Sequence, residues 1–178
     1  WQATGDEVVL TLDPGQAFGT GTHATTSLCL KALAEHFESN HPPQKILDVG
    51  TGSGILAMAG AALGAAEVIA CDIDSDACQV AAKNVEQNKL SQAITITDGP
   101  LDKISGQYDL VLANILAGEN IRLAKLLVER LAPQGRLALS GILVEQEQQV
   151  LEGSATFPLK RLSTNHQDEW TCIVYQRL

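Results

Sequence analysis

Residues Lys45–Gly54 read KILDVGTGSG, and Ile55–Leu63, ILAMAGAAL, follow without a break. Ile46, Leu47 and Val49 have the composition of a short buried strand. Gly50, Gly52 and Gly54 then fall at alternate positions. Glycine carries no Cβ and tolerates positive φ, so this turn can bend sharply and bring backbone N–H groups against a ligand. The run behind it predicts a helix, whose first turn presents amides and partial positive charge. Strand, glycine turn and helix together make a pocket for part of a nucleotide-like cofactor.

Spacing narrows the cofactor. A dinucleotide fingerprint places its third glycine three residues after the second, where this chain has Ile55. No Gly-Lys-Ser/Thr follows, which excludes a Walker-type phosphate loop. Asp48 stands just before the turn, where it would repel a pyrophosphate and would suit a cofactor carrying an amine. About 20 residues further on, Asp72 ends the apolar run EVIACD, a position from which a carboxylate can take both ribose hydroxyls.

Working outward, Glu7–Leu12 predicts a strand stopped by Asp13-Pro14-Gly15. Phe18–Thr26, FGTGTHATT, is a second glycine-containing stretch that leads into a helix through Phe37. Thr22, Thr25 and Thr26 place hydroxyls in its cap or first turn, where they can serve backbone amides or a ligand. After Asp72 a helix is expected from Ser75 to about Asn88, with Ala77, Val80, Ala81 and Val85 inward. Strands are expected at Ala93–Thr97, Tyr108–Ala113 and Arg136–Ser140, and helices at about Glu119–Leu131 and Val144–Leu151. Leu159–Thr164 and Trp170–Tyr175 pair as a hairpin around His166–Glu169, so the last strand should run antiparallel to the others.

Alternating strands and helices imply a mostly parallel sheet covered on both faces, with ligands beyond the carboxyl ends of its strands. Asp48, Asp72, Asp98 and Asn114 all fall at strand ends, so all four are expected in one crevice.

Composition bounds the rest. At 178 residues the chain suits one well-buried domain. No apolar run approaches the ~20 residues of a membrane span. Cys29, Cys71, Cys78 and Cys172 show no CxxC and sit among apolar neighbours, as reduced thiols of a cytoplasmic protein do. A net charge of −9 argues against direct nucleic-acid binding and suits a basic partner. His36, His41 and His166 lack metal-ligand spacing, and the expected state is a monomer without a metal.

The stretches LDPGQAFGTGTHATTSLCL, LDVGTGSGILAMAGAALGA, CDIDSDA, NILA and the terminal DEW span nearly the whole chain. They resemble the class I S-adenosylmethionine-dependent methyltransferases, and within them the ribosomal protein L11 methyltransferases. The resemblance implies a Rossmann-like α/β fold with a mostly parallel seven-stranded sheet and an antiparallel last strand. It implies S-adenosylmethionine held by Thr26, Gly50, Asp72 and Asn114, with Gly52, Gly54 and Ile73 beside it. It further implies methylation of lysine side-chain and N-terminal amines of a large-subunit ribosomal protein. Residues 1–178 would then form one domain: an N-terminal strand, cofactor loop and helix in 1–40, and the core in 45–178. The recognition domain that family members carry would be absent, and a cofactor-binding fragment without activity is the competing expectation. A second alternative is another protein or small-molecule N-methyltransferase.

On this reading Asn114 is the catalytic candidate, its carbonyl positioning the acceptor amine; the alternative is a cap on the following helix. Asp98 either accepts from the adenine amino group or caps its own turn. His23 is either a ligand-loop residue or a packed histidine. Asp168 and Glu169 either attract a lysine at the rim or are solvated.

Overall fold

The computed structural model describes residues 8–13 and 21–178. Pro14 and Gly15 of the turn signal, and Phe18, Gly19 and Thr20 of the second glycine stretch, lie outside the described residues. Among the described residues seven strands form one sheet: β1 Lys45–Val49, β2 Glu67–Asp72, β3 Ile94–Asp98, β4 Tyr108–Asn114, β5 Leu131–Leu143, β6 Leu159–Gln167 and β7 Trp170–Arg177. Their order is β3-β2-β1-β4-β5-β7-β6. The pairs among β1 to β5 are parallel, and β7 runs antiparallel to both β5 and β6. This is the sheet expected from the sequence.

The helices are α1 Ala24–Phe37, α2 Ile55–Ala62, α3 Ser75–Gln87, α4 Ala117–Glu129 and α5 Glu147–Ser154. Strand side chains alternate between faces with period 2, and each face finds its own helices. Ile46, Val68, Leu110 and Ala138 pack with Leu28 and Leu33 of α1, Leu56 of α2 and Val85 of α3. Leu47, Cys71, Val111 and Leu137 point the other way, into Leu127 and Val128 of α4 and Val150 of α5. With both faces covered, the strands need apolar residues on both sides, which is why Ile46-Leu47 in β1 and Leu110–Ala113 in β4 are consecutive apolar residues.

Three expectations need correction. Val8–Leu12 forms no strand. Leu10 and Leu12 do pack on the core, but the backbone is bonded to asparagine side chains of α3 and its cap. Asn88 accepts from Thr11 N at 2.8 Å and donates to Thr11 O at 2.7 Å, and Asn84 Oδ1 accepts from Asp13 N at 3.0 Å. An amide side chain offers both a donor group and an acceptor, so Asn88 does for Thr11 what a neighbouring strand would do. Second, β5 begins at Leu131, ahead of Pro133. Tyr108 pairs with Leu131 but Leu110 with Arg136, so Ala132–Gly135 loops out of the register, with Gln134 at φ +64°. Third, the last expected helix opens as a 3-10 turn, Val144–Gln146, before α5.

All four cysteines are free and buried. Among the described residues no helix is long and apolar enough to cross a membrane, and no His/Cys/Asp/Glu cluster is placed to hold a metal.

Candidate functional site

The chain winds from β1 outward to β3 and then returns across to β4, so the carboxyl ends of β1 and β4 diverge into a crevice. The glycine turn closes its floor. Gly50 has φ +72°, and a Cβ there would lie 2.4 Å from Ile115 Cγ2. Only glycine allows Ile115 to seat against the turn.

The amides of this turn are not free for a ligand, contrary to expectation. Gly50 N donates to Cys71 O at 2.9 Å, Gly54 N to Thr51 O at 2.9 Å, and Gly52 N to Asp72 Oδ2 at 3.0 Å. The glycines supply curvature and room, while β2 and the turn's own Thr51 take the hydrogen bonds.

Asp48 also departs from expectation. It is fully buried and does not line the crevice. Its Oδ2 accepts from Thr51 Oγ1 at 2.7 Å and from Ala57 N, in the first turn of α2, at 3.2 Å. Its role is to tie the glycine turn to the helix behind it. Burial pushes its carboxyl up to about 6, against the opposing effect of those two hydrogen bonds, and the nearby Asp72 charge adds to the rise.

The crevice has a volume of about 460 Å³. Thr26, Gly50, Gly52, Asp72, Ile73 and Asn114 line it, so the structure brings together six of the eight residues singled out from the sequence. Gly54 instead caps α2, with φ +84° and Ala81 packed where a Cβ would go. Asp98 ends β3 exposed; its neighbour Gly99 reaches the crevice and Asp98 does not.

Asp72 holds a fixed pose: Oδ2 accepts from Gly52 N and Oδ1 from Asp74 N at 3.1 Å. Each carboxylate oxygen has a second acceptor site left. Ile73 beside it is 78% exposed at the mouth.

Of the side-chain polar atoms buried without partners among the described residues, two belong to residues that line the crevice: Thr26 Oγ1 and Asn114 Oδ1. Helix α4 is capped at Leu116 with no side-chain bond, so Asn114 is not capping it. Buried polar atoms are almost always paired in folded proteins, and two orphans lining one cavity indicate groups kept for a ligand. A donor and an acceptor at one end, a braced carboxylate at the other and apolar walls between fit a nucleoside linked to a polar tail.

His23 caps α1, with Nδ1 2.8 Å from Thr25 Oγ1 and its ring edge-on to Trp170 at 5.0 Å. It is packed and does not line the crevice. Asp168 and Glu169 form the exposed turn between β6 and β7.

The model of one protein family, "Ribosomal protein L11 methyltransferase (PrmA)", matches residues 1–178. The chain belongs to this family. The L11 methyltransferase of Syntrophotalea carbinolica is 58% identical over 95% of the chain, and that of Geotalea daltonii 47% over 97%. The chain spans 55% and 58% of the lengths of these two relatives. A crystal structure of the ribosomal protein L11 methylase of Lactobacillus delbrueckii superposes with a TM-score of 0.90 at 31% identity, covering 99% of this chain and 90% of that one.

Three residues packed at or near this crevice were not singled out from the sequence. Ile115 seats on Gly50. Asn84 and Asn120 are buried amides. Both had a signal: each occupies an apolar-face position of its helix, Asn84 beside Ala81 and Val85, Asn120 between Ala117 and Ala124. An amide at such a position is one that has found buried partners.

Proposed function

We propose that the crevice binds S-adenosylmethionine and that the chain is the methyl-transferring part of a cytoplasmic enzyme acting on lysine and N-terminal amines of ribosomal protein L11. The observation that carries this is the pair of unpartnered buried oxygens, Thr26 Oγ1 and Asn114 Oδ1, in one cavity with Asp72. Family membership supports the acceptor.

Asp72, held by Gly52 N and Asp74 N, accepts from ribose hydroxyls with its remaining lone pairs. Thr26 and Asn114 serve the polar tail, Gly50 and Gly52 leave room for it, and Ile73 covers the base at the mouth. Bound there, S-adenosylmethionine supplies an electrophilic sulfonium methyl for direct displacement by an amine.

The chain's remaining task is to present a neutral amine in line. Free lysine titrates near 10.4, so exposing its neutral form at pH 7 costs about 4.6 kcal/mol, against about 1.4 kcal/mol for an N-terminal amine near 8. Desolvation against apolar lining such as Ile55, Leu56 and Ile115 disfavours the ammonium form and offsets part of that cost. Asn114 Oδ1 accepts one amine hydrogen and so directs the lone pair. Positioning of this kind is the principal contribution the residues make, and a dedicated base is not required. The acidic surface, net −9, attracts a basic substrate.

Calorimetric titration of S-adenosylhomocysteine into the chain tests the cofactor. Saturable one-to-one binding is expected, and the absence of heat at millimolar ligand would refute the reading. Methyl transfer from radiolabelled donor to purified L11 tests the acceptor. Cofactor binding without transfer, even in a chain of the relatives' full length, would leave a cofactor-binding module in its place.

A further inference from the structure

Asn120 is 1% exposed on the inner face of α4. Its Nδ2 donates to two backbone carbonyls, Ile115 O at 3.0 Å and Ser140 O at 2.9 Å. The orientation of its amide is fixed by chemistry: turned over, Oδ1 would face two carbonyl oxygens. As placed, Oδ1 is buried and has no partner.

The two carbonyls belong to the surroundings of Asn114. Ile115 follows Asn114 in the chain, and Ser140 is the residue paired with Asn114 across β4 and β5. Ile115 is pinned on two further sides. A Cβ on Gly141, at φ +76°, would lie 2.3 Å from Ile115 O, and a Cβ on Gly50 would lie 2.4 Å from Ile115 Cγ2. Ile115, the residue after Asn114, is therefore pressed between Gly50 just beyond β1 and Gly141 of β5, and Asn120 supplies the hydrogen bond that holds its carbonyl there. Two carbonyl oxygens in one buried place repel each other unless a donor stands between them, and Asn120 is that donor.

We propose that Asn120 is a positioning residue for the crevice: by bridging Ile115 O and Ser140 O it sets the aim of the Asn114 side chain and the seat of Ile115 on the glycine turn. The proposal rests on the reading of the crevice as a cofactor site. Asn120 touches no ligand itself; it acts through the peptide it holds. An amide retained at the cost of a buried, unpartnered Oδ1 is not the best choice for packing alone, and this favours a role in placement.

The test uses Asn120→Asp, which conserves volume but puts a carboxylate oxygen beside the two carbonyls, and Asn120→Leu, which offers them no donor. Both are measured in the intact 178-residue chain at a temperature where circular dichroism shows wild type and variants folded. The first readout is the side-chain amide resonance of Asn114 in unliganded protein, assigned by its loss in Asn114→Asp. The second is calorimetric affinity for S-adenosylhomocysteine. Both variants should shift or broaden the Asn114 resonance and weaken affinity about tenfold. For Asn120→Asp the ratio to wild type should narrow as pH falls towards 5, because the protonated carboxyl regains one donor. A purely structural role predicts lower thermal midpoints with the Asn114 resonance and the affinity unchanged, and that result overturns the proposal. If wild type itself fails to bind, the cofactor reading falls, and the Asn114 resonance of the unliganded chain still decides whether Asn120 sets its position.

Discussion

The backbone amide of Gly52 lies 3.0 Å from Oδ2 of Asp72, so the glycine turn after β1 and the carboxylate ending β2 form one hydrogen-bonded unit. The turn aims the acid, and the acid secures the turn. Asp72→Ala should therefore act twice, by deleting the ribose acceptor and by freeing Gly52. Hydrogen bonds to a charged group contribute about 1.5–3 kcal/mol each. Loss of two predicts an affinity for S-adenosylhomocysteine weakened at least ~100-fold. Calorimetry on the folded variant checks this, and unchanged affinity would remove Asp72 from the site.

Asp48 makes stability depend on pH in an unusual direction. Its carboxyl titrates near 3.8 when unfolded and at about 6 when folded. Between those values the folded protein binds more proton than the unfolded one. This group's contribution therefore falls as pH rises from about 4 to 6 and stays lost above that. Asp48→Asn keeps an acceptor for Thr51 and Ala57 but cannot ionise. In urea titrations the variant should gain on wild type by up to about 3 kcal/mol between pH 4 and pH 7. A difference that stays flat across that range would show Asp48 to be unperturbed.

Much of this arrangement was legible in the chain because period and punctuation carry local information. The glycine turn, the strand-end acids and the NILA segment lie on elements whose apolar patterns are unambiguous. What could not be read was which partner takes each polar group. Asp48 and Asp72 look alike as strand-end acids; one is buried beneath the turn and the other faces the crevice, because Asp48 pairs with Ala70 inside the sheet and Asp72 lies two residues further along the same face. Asp48 precedes the apolar Val49, whereas Asp72 is the last residue of β2. Val8–Leu12 has the alternation of a strand, and Leu10 and Leu12 do point inward. Pattern reports burial, however, and not whether the hydrogen-bond partner is a strand or a pair of asparagines. The missed Asn84 and Asn120 are the same problem in reverse, polar residues whose partners lie far away in sequence.

Gly50 should tolerate no side chain. At φ +72° an L-residue costs about 1–2 kcal/mol in backbone strain alone. Its Cβ would also have to displace Ile115. Gly50→Ala should lower the thermal midpoint by about 4–8 °C, at about 2–4 °C per kcal/mol for a chain of this size, and weaken cofactor binding as Ile115 moves. Gly118→Ala is the control. That position has open space around it in helix α4, so its midpoint should hold or rise. Equal effects at both positions would mean that the close approach of Ile115 does not matter.

The segment before the crevice should loosen as a unit when its asparagine clamp is removed. Asn88 holds both polar groups of Thr11, and Asn84 joins Asp13 N to Ser53 O of the glycine turn, which its Nδ2 reaches at 2.9 Å. Asn88→Ala removes two exchangeable bonds worth about 1 kcal/mol each. Hydrogen exchange at Thr11 should accelerate roughly tenfold or more while the amides of β1 and β4 keep their protection. Unchanged exchange at Thr11 would show that the packing of Leu10 and Leu12 holds the segment alone.

Thr26 offers the sharpest separation of stability from function. Its hydroxyl is fully buried with no partner in the free protein. An unsatisfied buried polar group costs about 1–3 kcal/mol, and valine has nearly the same shape without the hydroxyl. Thr26→Val should therefore raise the unfolding free energy of the unliganded chain. If that hydroxyl is kept for the ligand, the same change should weaken binding of S-adenosylhomocysteine by about tenfold, the loss of one hydrogen bond of about 1.4 kcal/mol. A structural threonine predicts the opposite pair of signs, with stability lost and affinity kept. Urea denaturation and calorimetry on the same two proteins separate the cases.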